Sequence, residues 1–240
     1  EEEIPAEMLR KTIRQATIDN LMVPVVCGTS YRNKGVQKLL DAIVDYLPSP
    51  IDIPPVKGFD PHTDEEIIRE ASDEEPFAAL AFKVMTDPFV GKLSLIKVIS
   101  GVLTPATPLF NANADKPEKA AGLFMIRGKK QIPVGMLCAG DIGALSKLQY
   151  TSTGDSLCEI GKVVQYEKME FPAPQISLAV YAKKAGEEDK VFSGLNRLME
   201  EDPSIVIQKN VDTTETWLSG QGEMHLEVIK NRLQAKFGAN

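Results

Sequence analysis

A chain of 240 residues, 43% hydrophobic and 25% charged, has room for one large or two to three small globular domains with sizeable cores. Its formal net charge of −7 excludes a protein that coats DNA or RNA through charge alone, but leaves room for local basic contacts. Apolar runs stay short of the roughly 20 residues that cross a bilayer, and no basic-then-apolar leader is present, so the expectation is a cytoplasmic protein with no membrane partner.

Cys27, Cys138 and Cys158 are odd in number and form no Cys-x-x-Cys pair, which leaves neither a disulfide framework nor a zinc knuckle and predicts buried free thiols. The first residue is Glu1 and no glycine-rich phosphate loop occurs anywhere, which reads as a piece cut from a longer protein.

Pro5 opens a helix carrying Leu9, Ile13 and Ala16 at i, i+4, i+7 and closing near Asn20. The continuous apolar run Met22-Val-Pro-Val-Val-Cys27 predicts a parallel strand covered on both faces, with Pro24 near its start or at a sheet edge. Gly28-Thr29-Ser30 is a loop. From Gly35 a second helix carries Val36, Leu39, Leu40, Ile43, Val44 and Leu47, and Pro48-Ser-Pro50 stops it. Helix, strand, loop, helix is the closing unit of an open α/β sheet, too little to bury both faces alone.

Residues 51–76 mix Pro54-Pro55 with acidic clusters around Asp60, Asp64 and Asp73, and are expected to be an interdomain linker with a solvated excursion. His62 among those carboxylates reads as a loop residue rather than a metal ligand, and no metal site is expected. Residues 77–170 then run as short strands rich in Val, Ile, Leu, Phe and Thr. They are punctuated by Asp87-Pro88, Gly91, Gly101, Thr104-Pro105, Thr107-Pro108 and two Gly-Asp turns, which predicts a closed antiparallel β-barrel. Both parities of Leu93-Ser-Leu-Ile-Lys-Val-Ile99 are largely apolar, so each side of that strand should be at least partly covered.

Phe171-Pro-Ala-Pro174 is a second, stiff linker. Beyond it the order is a strand from Gln175, a helix from Glu187 stopped by Asp202-Pro203, strands at Ser204-Ile-Val-Ile-Gln208 and Glu215-Thr-Trp-Leu-Ser219, and a helix from Gly220-Gln-Gly222 to a Gly238 cap. This β, α, β, β, α order over 175–240 is a split βαβ, ferredoxin-like domain without its last strand.

No catalytic constellation is present. Gly91-Lys92, Gly128-Lys129 and Gly161-Lys162 lack the spacing and the Ser or Thr of a phosphate loop, and Asn33-Lys34-Gly-Val36 has valine where a guanine-reading carboxylate would stand. Two features stand above this background. Lys116, Lys119, Arg127, Lys129 and Lys130 read either as a phosphate-binding patch for structured RNA or as ordinary surface cations. Ser219-Gly-Gln-Gly-Glu-Met-His-Leu-Glu227 turns into a helix N-terminus suited to an anionic or interdomain contact, with His225 either a contact residue or a packed or solvent-facing one.

The chain resembles bacterial elongation factor G along essentially its whole length. The residues that carry the resemblance are Asn33-Lys-Gly-Val-Gln37, Leu39 through Pro50, Asp73 through Leu93, Ala139-Gly-Asp141, Thr153-Gly-Asp-Ser-Leu-Cys158, Glu200-Glu-Asp-Pro203 and Ser219 through Glu227. The resemblance implies that residues 1–50 end a P-loop GTP-binding domain, that 77–170 is domain II, and that 175–240 is most of domain III. It implies that Gly28, Thr29 and Ser30 form the last guanine-contacting loop, and that the barrel's basic residues face small-subunit ribosomal RNA and ribosomal proteins. Gly220, Gly222, Glu223 and His225 would be interdomain contacts toward the remainder of the GTPase domain.

The parent would bind GTP and magnesium and couple hydrolysis to tRNA–mRNA translocation, whereas this chain would hold no cofactor and no catalytic residue of its own. The family's usual sequence is replaced at Ala121-Gly122 and from Met125-Ile-Arg-Gly128 into Lys129-Lys-Gln-Ile-Pro133. That points to a paralogue of the main translocase, with a ribosome-binding protection, recycling or rescue factor as the alternative role.

Overall fold

The computed structural model describes residues 4–87, 91–128, 130–210 and 215–239. The chain divides into two compact units, Glu1–Pro55 and Val56–Asn240.

In the first unit α1 (Ala6–Ile18) and α2 (Val36–Tyr46) are both amphipathic, yet neither contains a buried residue. Arg14 joins them. Its Nη1 donates to the carbonyls of Asp45 (3.0 Å), Leu47 (3.2 Å) and Val44 (3.3 Å), and its Nη2 meets Asp52 Oδ2 at 2.6 Å. A guanidinium at the C-terminal end of α2 satisfies carbonyls that the helix leaves free and opposes the negative end of its dipole. The N–H and hydroxyl of Ser49, ahead of Arg14, hold the Asp52 carboxyl below its ordinary range.

The strand expected at 22–27 is not formed. Residues 22–28 make no ladder pairing, and Val23 and Val25 are 83% and 91% exposed. A run of this kind becomes a strand only beside neighbours that accept its N–H groups, and the described residues of this unit offer none.

The second unit begins where a linker is expected. β1 (Val56–Phe59) and β2 (Glu66–Arg69) pair antiparallel, Val56 opposite Arg69, and the acidic residues between them form the turn. Val56 and Ile67 pack on a cluster of Ala78, Ala112, Cys158, Val164 and Tyr166, and Phe59 exchanges backbone bonds with Gln165 at 2.9 and 2.8 Å. Gly58 has a packing role, since a Cβ there would stand 2.8 Å from the Gln165 carbonyl oxygen. Four-residue strands around an acidic turn have too short a period to stand out from a solvated linker.

Eight strands follow: β3 (Ala78–Asp87), β4 (Gly91–Ser100), β5 (Leu109–Asn111), β6 (Lys116–Glu118), β7 (Gly122–Arg127), β8 (Lys130–Pro133), β9 (Ile142–Ser146) and β10 (Asp155–Glu159). They form one antiparallel sheet in the order β6-β5-β10-β3-β4-β9-β7-β8. Phe77, just before β3, and Ala79, Ala81, Ile96, Val98, Leu109, Leu123, Leu145 and Leu157, from the six strands between the end strands β6 and β8, meet in a single core, so the sheet curls into a barrel-like body. Among the described residues no ladder joins the end strands β6 and β8; the chain crosses instead through a bridge of Leu103 with Leu137.

Both faces of β4 are at least partly covered: Ile96 and Val98 join this core, and on the other face Ile99 packs on the β1–β2 cluster while Leu95 and Lys97 are half-buried. Of the three thiols only Cys158 is buried, and burial raises it; Cys138 is half-buried and Cys27 exposed.

β11 (Ile176–Val180), α3 (Glu188–Glu201), β12 (Val206–Lys209), β13 (Thr216–Gly220) and α4 (Glu223–Phe237) complete the chain, with antiparallel sheet order β11-β13-β12. Val191, Leu195 and Leu198 of α3 and Leu226, Ile229 and Leu233 of α4 share a core with Leu218. This is the ferredoxin-like α+β arrangement.

Two consecutive glutamates at the end of α3 tie this layer to the barrel. Glu201 Oε1 accepts the Thr86 N–H of β3 at 2.8 Å, and both its oxygens accept from Lys236 of α4 at 2.8 Å; Glu200 lies 3.6 Å from Lys92 of β4. Replacing Glu201 by Ala should lower stability by about 2 kcal/mol, the usual loss for hydrogen bonds to a charged group, read as a shift in the urea midpoint.

Gly101 follows β4 with φ +68, and a Cβ there would lie 2.5 Å from the Glu75 carbonyl oxygen and 2.6 Å from the Phe77 nitrogen. Gly101→Ala should therefore cost about 2–4 kcal/mol in the same measurement, combining left-handed backbone strain with overpacking. At Gly128, whose φ is +60 with no atom within 4 Å of the added carbon, the same change should cost only about 1 kcal/mol.

Candidate functional site

Four of the five cations are among the described residues, and they fall on two parts of the barrel. Lys116 lies on β6, and Lys119 just beyond it; together with Pro117, Glu118, Gln149 and Tyr150 they line a surface cavity of ≈ 340 Å³. Arg127 and Lys130 face each other across the β7–β8 pair. At about 3.3 Å per residue, the far end of β7 stands some 17 Å from Gly122, where the chain arrives from Lys119. Lys129 lies outside the described residues. Among the described residues the barrel's cations thus form two groups, Lys116 with Lys119 on the cavity and Arg127 with Lys130 on the β7–β8 pair.

The first spot is anchored by Glu118, a residue that sequence reading passed over. Only 8% exposed, its carboxylate accepts the N–H groups of Gln149 (3.0 Å), Tyr150 (2.7 Å) and Thr151 (2.8 Å) and the Thr151 hydroxyl (2.8 Å). Three successive N–H groups aimed at one carboxylate fix the loop after β9 against β6. A lone acid between Lys116 and Lys119 was the available signal. Lys116 Nζ sits 4.4 Å from the centroid of the Tyr150 ring, a cation–π contact that the sequence did not announce.

Gly28, Thr29 and Ser30 are exposed in a loop closed by reciprocal backbone bonds between Thr29 and Lys34, 2.9 and 3.1 Å, with Ser30–Arg32 forming one 3-10 turn. His62 is exposed and lies 3.8 Å from Asp115. Among the described residues no group of three or more His, Cys, Asp or Glu could hold a metal ion, and no helix is long and apolar enough to cross a membrane.

Gly220 ends β13, and a Cβ there would meet Leu226 Cδ2 at 2.7 Å, so α4 packs directly on the turn. Gly222 precedes α4 in extended backbone, and Glu223 is exposed on a groove that Leu178, Tyr181, Glu227 and Lys230 also line. His225 is engaged within the layer. Its Nδ1 accepts the Gln221 N–H at 3.1 Å, which puts the proton of the neutral ring on Nε2, where Asp202 Oδ2 accepts it at 3.1 Å.

Burial raises the Asp202 carboxyl, but the hydroxyl and N–H of Ser204 and the neighbouring His225 outweigh it and hold the group below the usual carboxylate range. Sequence reading saw Asp202 only as a helix stop; it is the hinge pin between the end of α3 and the start of α4.

Because the folded-state pKa of Asp202 is depressed, its stabilisation is fully present above the unfolded value near 3.9 and disappears as pH falls through the folded value. Asp202→Asn should thus be less stable than the parent by about 1 kcal/mol at neutral pH, after allowance for solvent screening. The two denaturation curves should converge as the pH is taken below about 4, and a gap that stays constant into acid would disprove the assignment.

The family model described as "Elongation factor G domain 2" matches residues 76–160, and that described as "Elongation Factor G, domain III" matches residues 171–240. A crystal structure of a protein from Thermus thermophilus superposes with a TM-score of 0.74 at 29% identity, covering 100% of this chain and 33% of the other. The chain thus spans a third of the length of that neighbour. The first family match falls on the barrel and the second on the α+β layer, in the family's own order and together over more than half of the residues. The chain belongs to the elongation factor G family.

Proposed function

We propose that this chain is the docking and signal-relaying part of a ribosome-associated translational GTPase that couples GTP hydrolysis to movement of tRNA and mRNA. The observation that carries the reading is the tandem of domain II and domain III matches over 76–160 and 171–240. Two features of the molecule support it. Basic spots at Lys116/Lys119 and at Arg127/Lys130 stand on an otherwise acidic chain, as local phosphate contacts require. The apolar stripes of α1 and α2 contain no buried residue, with Leu39, Leu40, Ile43 and Val44 all exposed, as helices made to lie against further protein would be.

On this reading the remainder of a GTPase domain covers those stripes, and Gly28, Thr29 and Ser30 complete its guanine site. GTP and magnesium belong to the parent, which works in the cytoplasm. The turn at Gly220, Gly222, Glu223 and His225 faces that domain, with His225 held in place by Asp202. The barrel's basic spots face small-subunit ribosomal RNA and the ribosomal proteins around it. No phosphate-binding Gly-x-x-x-x-Gly-Lys-[Ser/Thr] occurs in the chain, so hydrolysis falls to residues outside it.

Charge reversal at Arg127 and Lys130 in the full-length protein should weaken ribosome binding by about tenfold near 50 mM salt and flatten its dependence on salt. Co-sedimentation with ribosomes across a salt series reads this, and unchanged affinity at low salt would refute the docking role. The purified 240-residue chain should show no magnesium-dependent GTP turnover, measured as phosphate release.

A further inference from the structure

The cavity of ≈ 340 Å³ beside β6 combines three properties. It contains an aromatic ring, Tyr150, that is 43% exposed in the loop after β9. A cation already lies on the ring, Lys116 Nζ at 4.4 Å from its centroid, and a second cation, Lys119, stands on the rim. The ring's backbone is held fast, because Glu118 takes the N–H groups of Gln149, Tyr150 and Thr151 while its own side chain is buried. A flexible exposed tyrosine is ordinary; one whose main chain is fixed by a buried carboxylate from the neighbouring strand is a pre-organised flat surface.

Flat aromatic faces flanked by cations are what single-stranded RNA uses, the base stacking on the ring and the phosphates pairing with lysine. The charges lining the cavity are complementary to such an occupant. Glu118 directs its charge inward to backbone donors, and the groups left at the surface are Lys116, Lys119, the Gln149 amide and the Tyr150 ring. The volume lies within the range of small-ligand pockets, about 300–1,000 Å³.

We infer that this cavity takes one unpaired nucleotide of RNA, its base replacing the Lys116 ammonium on the Tyr150 face while Lys116 and Lys119 hold the flanking phosphates. A base paired in a duplex cannot reach the ring, so the site selects unpaired RNA. This rests on the ribosomal reading above for the source of the RNA, but the chemistry of the cavity is testable without ribosomes.

The test is fluorescence anisotropy of a short fluorescein-labelled oligouridylate with the 240-residue chain, at about 50 mM salt and upward. The parent chain should bind the single strand more tightly than a duplex of equal length. Tyr150→Ala and Tyr150→Leu should both weaken binding by about tenfold with the salt slope unchanged, while Tyr150→Phe should retain it. Lys116→Ala should reduce the slope of log affinity against log salt by about 0.7.

Unchanged thermal midpoints establish that the variants are folded, and Tyr150→Leu, which keeps the apolar bulk, separates stacking from packing. The proposal is overturned if Tyr150→Leu binds like the parent, if duplex and single strand bind equally, if an oligoglutamate peptide competes as well as RNA, or if the parent shows no binding at low salt. If Tyr150-dependent RNA binding holds while the chain fails to sediment with ribosomes, the platform stands and the docking reading falls. Sedimentation without any Tyr150-dependent RNA binding does the reverse.

Discussion

A pair of ten-residue strands in the middle of a sheet must satisfy every backbone group and cover both faces, and the second unit is arranged around meeting those two demands for β3 and β4. Ladder partners come from β10 on one side and β9 on the other. The inner face takes the barrel core, and the outer face near Ile99 takes the short β1–β2 hairpin. At the far end the Thr86 N–H has passed beyond the β10 register, which ends at Ala81 opposite Asp155. Glu201 supplies the acceptor there, so the same requirement that closes the barrel also attaches the α+β layer to it.

The carboxylates of this acidic chain carry much of that work. Glu118 and Asp202 each gather a loop or a turn, and Asp141 and Asp155 do so in parallel fashion. In the two Gly-Asp turns the carboxylate reaches back three residues, to the Cys138 N–H at 2.8 Å and the Ser152 N–H at 2.8 Å, after a glycine with φ of 90 or 94. Asp155 also accepts from Asn111 of β5 at 2.9 Å, which fixes the neighbouring strand as well. Acids placed this way are charge-assisted acceptors for backbone donors that no ladder reaches.

What could be read from the residues follows from the range of the interaction behind each feature. The amphipathic helices, the strand grammar of 77–170 and the Gly238 cap depend on neighbours a few residues away, and the structure forms them. The strand expected at 22–27 depends on partners absent from its unit, and the β1–β2 hairpin depends on a cluster assembled from residues as distant as Val164 and Tyr166, so local pattern erred in opposite directions at the two places. The basic residues were legible as types, whereas their grouping was not: Lys116 and Lys119 line one cavity and Arg127 stands opposite Lys130 on the β7–β8 pair. Glu118 and Tyr150 escaped because their partners lie 31 to 34 residues away, and Asp202 because its contact with His225 spans 23.

A net charge of −7 sets a physical condition on any RNA contact this chain makes. Seen from beyond a Debye length, about 8 Å at physiological salt, the surface does not attract phosphate, so long-range steering is weak and affinity has to come from groups within contact distance. Small basic groups, one on the cavity beside β6 and one on the β7–β8 pair, fit that condition better than one broad field would, because each acts locally. Rigidity then matters more than charge number. A lysine on an exposed loop loses much of its gain to side-chain entropy, while a tyrosine whose backbone is held by Glu118 has little left to lose on binding. On the inference that Tyr150 takes a base, the buried Glu118 carboxylate offsets part of what the acidic surface costs, by using a negative charge for order where another positive one would only add attraction.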